Sequence, residues 1–165
     1  MLGQIKTDEK SNEITAIPEL LKSLELKSCL VTIDAMGCQK KIAEIIIESD
    51  ADYLLAVKDN QPTLHQAIQD YFTQANEANF EDYDIDFAQT FGKGHGRLES
   101  RRCWVGYDAL PRIDGSQNWE ELQTIVMIES ERTVKEETTI EHRYYISSTK
   151  STATNLLNAS RLSEP

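Results

Sequence analysis

The chain has 165 residues, 39% hydrophobic, 7% aromatic and 27% charged, with 17 Lys and Arg against 28 Asp and Glu for a net charge of −11. That length suits one domain with a real core, and the apolar fraction excludes a disordered chain. No apolar run approaches the ~18–20 residues of a membrane helix, and the acidic balance argues against a generally basic nucleic-acid binder.

The first half alternates strand and helix signals. Residues 3–6 read as the end of a strand, followed by a polar turn, TDEKSNE. Ile17, Leu20, Leu21 and Leu24 share one helical face, with Pro18 expected in the first turn of that helix. The run CLVTID, ending in Asp34, reads as a strand buried on both faces, and Gly37 marks a turn. Ile42, Ala43, Ile45 and Ile46 predict a second helix to about Ser49, and residues 53–58 a second buried strand. Leu64, Ala67, Ile68, Tyr71, Phe72 and Ala75 predict a third, amphipathic helix. This alternation implies an α/β fold with right-handed crossovers and a largely parallel sheet.

Beyond residue 80 the character changes. Residues 80–86 are acidic and aromatic, and Phe91-Gly-Lys-Gly-His-Gly reads as a loop. Residues 101–105, 122–133 and 140–148 read as strands, the last two forming a hairpin across VKEE. A short helix with Ala153, Leu156 and Leu157 ends at Arg161. Strands grouped after an alternating half predict an antiparallel insertion or sheet extension.

Charge is spread unevenly. Residues 1–58 hold 7 basic and 10 acidic side chains, and residues 59–92 hold no Lys or Arg and 7 acids. Residues 93–112 hold 5 basic and 2 acidic, and residues 113–165 hold 5 basic and 9 acidic. The one positive stretch, KGHGRLESRRCWVGYDALPR, can steer a polyanion locally, because screening confines fields to about 8–10 Å at physiological salt.

Asp34 is the first candidate for chemistry. It ends a buried strand, where open α/β sheets place ligands, and a carboxylate there suits Mg²⁺; it equally suits a helix or turn cap. A lone Asp cannot do two-metal chemistry. Lys58-Asp59-Asn60-Gln61 ends the neighbouring strand on the same edge, so Lys58, Asn60 and Gln61 are candidates for phosphate contact, or for a polar turn with caps. His95, Arg97, Arg101 and Arg102 lie among glycines 92, 94 and 96, which allow close backbone approach to phosphates; Glu99 can instead pair with these arginines. Cys29, Cys38 and Cys103 share no metal-like spacing, and they fit reduced thiols in a cytoplasmic protein. Cys38, Cys103 and Trp104 read as packing residues, and His65 and His142 carry no usable pattern.

The blocks NEITAIPELL, LVTIDAMGCQKKIAEIII, DYLLAVKDNQPTLH, GKGHGRLESRRCWV and RYYISS, in that order, resemble the H-repeat-associated insertion-sequence transposases of the DDE superfamily. The resemblance runs from about Leu2 to Arg161. It implies an RNase H-like α/β core with a β-rich insertion, DNA as partner, and cleavage and strand transfer with Mg²⁺ held by two Asp and one Glu. On it, residues 1–79 are a portion of that core, 80–148 the insertion and sheet extension, and 149–165 the start of a C-terminal helix. Asp34 in TIDAMGCQ matches the second Asp of the triad. The first Asp belongs upstream of LGQIKTDEKSNE. The Glu belongs to an Arg-x-His-Trp-Gly-Ile-Glu segment that this chain follows only to Arg161, and Glu164, followed by Pro165, is not accepted in its place. Glu99 matches the family's His-Gly-Arg-x-Glu block, not the triad.

The expectation is therefore a truncated DDE transposase with an incomplete RNase H-like core, one catalytic carboxylate of three, and no activity of its own. Whether it is an enzyme, and whether it forms a homo-oligomer, stays open. Two alternatives stand beside it: a DNA-binding remnant without catalysis, and a receiver-like signalling domain with Asp34 as phosphoacceptor and Lys58 as its partner.

Overall fold

The computed structural model describes residues 2–4 and 10–161, with side chains from residue 16 onward. In chain order the elements are β1 (Leu2–Gln4), α1 (Lys10–Ser23), β2 (Leu30–Ile33), a 3-10 turn (Ala35–Gly37), α2 (Lys40–Glu48), β3 (Asp52–Val57) and α3 (Pro62–Glu77). Then follow β4 (Ile85–Gly94), β5 (Arg97–Gly106), β6 (Thr124–Val134), β7 (Glu137–Ser147) and α4 (Ala153–Arg161).

The strands form one mixed sheet in the order β1-β2-β3-β7-β6-β5-β4. Strands β1, β2 and β3 are parallel, as crossovers through α1 and α2 require. The sheet then turns antiparallel at the β3–β7 pair and stays so to β4. The β-rich half thus extends the same sheet. A doubly wound parallel receiver has no place for four such strands.

Burial on both faces explains the continuous apolar runs of β2 and β3. Tyr53, Leu55 and Val57 face α1, α2 and α3, joining Leu21, Ile42, Ile46, Ile68 and Phe72 in one core. Leu54 points the other way and joins Val126, Ile128 and Tyr145 beneath Leu156 and Leu157 of α4. Each such buried Leu or Ile contributes roughly 1.5–3 kcal/mol of transfer free energy.

Three sequence expectations change. Pro18 lies inside α1, not in its first turn, because the helix already starts at Lys10: residues 10–13 of the expected polar turn contain no breaker. Of the strand expected at residues 3–6, residues 3–4 lie in β1, while its remainder and the rest of that turn fall on residues 5–9, outside the described residues. The glycine-rich stretch at 91–94 is strand, since β4 pairs with β5 along its whole length, Ile85 with Gly106 through Gly94 with Arg97. His95 and Gly96 alone make the turn, with φ of 50° and 75°, the double positive φ of a type I′ hairpin. Lys135 and Glu136, with φ of 50° and 67°, do the same between β6 and β7.

Cys38 and Cys103 are buried, each 0% exposed, and burial pushes both thiols up to about 12. A protonated, enclosed thiol is neither nucleophile nor ready metal ligand. Both are expected to resist a thiol-specific reagent in native protein at mildly alkaline pH and to react on denaturation, as mass spectrometry of the labelled peptides will show; native labelling at either position refutes the packing role.

Gly37 sits where a side chain has no room. A Cβ there overlaps Ile33 Cγ2 and falls 3.1 Å from Ile17 Cδ1. Gly37→Ala is expected to lower unfolding stability by about 1–3 kcal/mol, read as a shifted urea midpoint with unchanged slope. A midpoint equal to wild type rejects the tight α1–turn contact.

Candidate functional site

Parallel pairing of β2 and β3 brings their carboxyl ends to one edge of the sheet. Asp34 follows directly on Ile33 and is exposed there. It caps the 3-10 turn, with its Oδ1 accepting from the Met36 amide at 3.2 Å. The cap role expected as an alternative is therefore real, and it fixes the direction of the carboxylate without burying it.

The neighbouring turn braces this segment. Lys58, Asp59 and Asn60 are exposed beyond Val57. The Asn60 side-chain amide donates to the Ala35 carbonyl, and the Gln61 amide donates to the Cys38 carbonyl at 3.1 Å. Both amides, left open between phosphate contact and a polar turn, are engaged on protein carbonyls of the Asp34 turn and its flank.

The β7 strand completes the edge. Val57, the last residue of β3, pairs with Tyr144, so residues 137–143 of β7 run past the end of β3 for about 23 Å at ~3.3 Å per residue. Strands β4–β7 thus form a four-stranded blade that overhangs the Asp34 edge. At its foot is a cavity of about 250 Å³ lined by Asp34, Lys58, Asp59, His65, His142, Arg143 and Tyr144 among others. His65 meets the Tyr144 ring edge-on, centroids 5.3 Å apart. Desolvation by burial raises the Tyr144 hydroxyl above its ordinary range, although its bond with Gln69 opposes the shift.

The candidate basic residues do not gather into one patch. His95 is at the tip of the β4–β5 turn. Arg97 and Arg101 share one face of β5 with Glu99, and Arg102 points to the other face, as strand alternation demands. Glu99 accepts from Arg132 Nε at 3.1 Å and lies 3.9 Å from Arg97 Nη1. Glu129 accepts from Arg102 Nη1 at 3.0 Å and bonds His142 Nε2 at 3.1 Å. Arg143 Nε reaches Glu141 at 3.1 Å. The sequence reading passed over His65, His142 and Arg143 at the cavity. One signal was available: RYYISS reads as a strand, and Glu141-His142 directly precedes it.

Among the described residues no group of three His, Cys, Asp or Glu converges as a metal site. Asp34 is a hard oxygen donor suited to supply one ligand to Mg²⁺.

Comparison with known proteins now decides the family. Residues 1–162 match the model described as Transposase DDE domain. The chain belongs to that family. Its relatives include YncI of Escherichia coli O157:H7, 46% identical over 98% of this chain and 41% of that protein. YhhI of Escherichia coli strain K12 is 42% identical over 98% of this chain and 43% of its own length. YbfD of the same strain is 50% identical over 61% of this chain and 39% of its length. All three carry the word transposase in their names, the last two also H repeat-associated. The DDE domain described here therefore spans about two fifths of the curated relatives it matches.

In this DDE domain the Asn60 amide makes a sharp test of the edge. Asn60→Asp places a carboxylate against the Ala35 carbonyl and is expected to cost about 1–2 kcal/mol of stability, more than Asn60→Ala. Thermal melts of both variants check the order; equal melting temperatures reject the brace.

Proposed function

We propose that this chain forms part of the RNase H-like catalytic core of a DDE transposase acting on DNA, with Asp34 as one of the carboxylates that hold Mg²⁺. The observation that carries the reading is the exposed Asp34 carboxylate at the end of a buried parallel strand, beside the Lys58 turn and under the blade. Mg²⁺ takes one or two protein carboxylates and completes its shell with waters and substrate phosphates, a demand Asp34 can meet in part. In two-metal chemistry the ions activate the attacking oxygen and stabilise charge on the leaving one. The described residues bring no second and third ligand to Asp34, so no step of strand transfer is assigned to them.

On this reading Asn60 and Gln61 serve DNA only by holding the Asp34 turn. Lys58, Arg97, Arg101 and Arg102 supply positive charge along the edge and blade, and His95 offers an imidazole at the β4–β5 turn. Residues 1–79 are the core portion, 80–148 the β-rich insertion that extends its sheet, and 149–165 the segment that carries α4. The site of action is the cytoplasm. No helix among the described residues is long and apolar enough to cross a membrane.

The purified chain is expected to bind duplex DNA weakly, with Kd on the order of 10⁻⁶–10⁻⁴ M and affinity that falls steeply with salt. Arg97→Ala with Arg101→Ala reduces both the affinity and the salt slope. With Mg²⁺ the duplex stays uncut. Salt-insensitive or absent binding rejects the DNA reading, and cleavage or joining that Asp34→Ala abolishes rejects the view that this chain does not act alone.

A further inference from the structure

The outer edge of the blade is a strand with one neighbour. β4 closes the sheet order, and among the described residues β5 alone pairs with it. The Tyr107 amide donates to the Asp84 carbonyl at 2.9 Å, in step with the register that sets Ile85 opposite Gly106. Hydrogen-bonded pairs alternate along an antiparallel ladder, so the even-numbered residues of β4 turn their backbone to β5. Ile85, Phe87, Gln89, Phe91 and Lys93 turn theirs outward, each offering an N–H and a C=O. The usual protections of such an edge are missing. Pairing with β5 is unbroken from Ile85 to Gly94, so no bulge bends the strand, and it contains no proline. Lys93, next to its last residue, is its one cation.

The sequence of this edge is symmetric about Gln89. Phe87 and Phe91 flank it at equal spacing on one face, 48% and 79% exposed, and Phe87 rests on the Trp104 ring with centroids 5.2 Å apart. Charge runs along the same strand. Exposed Asp82 and Asp84 precede it, and exposed Lys93 and His95 end it. Asp86 is taken separately, by the Ala153 amide of α4 at 2.8 Å. An antiparallel copy sets the acidic start against the basic end, whereas a parallel copy sets like against like.

Backbone geometry narrows the register. Outward groups meet only outward groups, so odd-numbered residues must face odd-numbered ones. With Gln89 on a twofold axis all five find partners: Ile85 meets Lys93 of the second copy, Phe87 meets Phe91, and Gln89 meets its own counterpart. About ten hydrogen bonds then close a ladder ~34 Å long. A shift by two residues sets Phe87 against Lys93 and loses both aromatic pairs.

We propose that β4 is a self-association edge, pairing antiparallel with β4 of a second copy of this chain about Gln89. The two sheets become one continuous sheet, and the exposed Phe87 and Phe91 of each copy cover one another. The proposal stands apart from the DNA reading and uses none of the residues at the Asp34 edge.

Sedimentation velocity of the chain is run between about 1 and 300 µM at ~0.15 M salt, which confines repulsion between two chains of −11 to about 8 Å. A monomer is expected to pass to a dimer with Kd on the order of 10⁻⁵–10⁻⁴ M, as suits a small edge contact. Gln89→Pro removes an outward amide and spares the β5 ladder, so it weakens the dimer at least about tenfold with an unchanged melting temperature. Phe87→Lys with Phe91→Lys sets cation against cation and abolishes association. Phe87→Lys with Phe91→Glu restores it, because only the antiparallel register puts opposite charges face to face. Gln89→Cys oxidises to a disulfide-linked dimer, since facing Cα atoms about 5.5 Å apart suit that bond, and Phe91→Cys does not. The native cysteines are buried and stay out of the reaction.

A monomer at every concentration overturns the proposal and leaves the edge to a strand of some other chain. A dimer that folded Gln89→Pro does not weaken also overturns it, as does a disulfide that forms with Phe91→Cys and not with Gln89→Cys. Should Gln89→Pro fail to fold, the Lys–Lys and Lys–Glu chains decide: equal association of the two overturns the pairing.

Discussion

Where the parallel half of the sheet meets the antiparallel half, two serines tie β7 to β3 through its backbone. Ser147 Oγ donates to the Tyr53 carbonyl at 2.7 Å. Ser148 Oγ accepts from the Tyr53 amide at 2.9 Å and donates to Asp52 Oδ1 at 2.8 Å. Leu54 pairs with Ser147 and Val57 with Tyr144 along the same junction. Each buried bond contributes about 1 kcal/mol net, but a buried partner left unsatisfied costs about 1–3 kcal/mol. The junction therefore resists sliding more strongly than its few residues suggest. A slip by one residue also turns Tyr144 and Tyr145 to the wrong faces.

That register creates the site. The β7 strand is long and β3 is short, so fixing Val57 opposite Tyr144 forces His142 and Arg143 past the end of β3 and over the Asp34 edge. The cavity is the step left where one strand stops and its neighbour continues. The blade follows from the same register, because β6, β5 and β4 pair outward from β7 in turn. Thr124 Oγ1, donating to the Thr149 carbonyl at 2.9 Å, and Tyr53 Oη, donating to the Glu120 carbonyl at 2.8 Å, tie both flanks of the blade's base to that junction.

Elements set by local pattern were legible in the sequence. The apolar spacing of α2, α3 and α4 and the runs of β2 and β3 carry their own periodicity, and the structure has all five. The outer strand β4 was not legible. Its FGKG stretch has the composition of a loop, and it is a strand only because β5, reached through the His95-Gly96 turn, supplies a full ladder of partners. The Asp34 edge was legible as the end of a buried strand, but the run left the carboxylate open between a ligand and a cap, and the structure shows the cap. Convergence was not: His65 on α3 and His142 on β7 are far apart in sequence and line one cavity only in the fold. Nor does composition show that Asn60 and Gln61 spend their amides on Ala35 and Cys38.

The segmental charge count shows the same limit. Residues 93–112 carry a positive excess when counted alone, yet antiparallel pairing sets Glu129 of β6 beside Arg102, and Glu99 of β5 itself takes Arg97 and Arg132. Glu99 lies between Arg97 and Arg132, and Glu129 lies between Arg102 and His142. Exposed pairs of this kind are worth roughly 0.2–1 kcal/mol each, so a phosphate can displace a carboxylate at small cost, but equally small gain. The cations at the cavity come from different elements, Lys58 from the turn after β3 and Arg143 from β7. Arg143 is itself held by Glu141 at 3.1 Å. An anion at the foot of the blade would therefore compete with a carboxylate for Arg143, as one on the blade would compete with Glu99 for Arg97 and with Glu129 for Arg102.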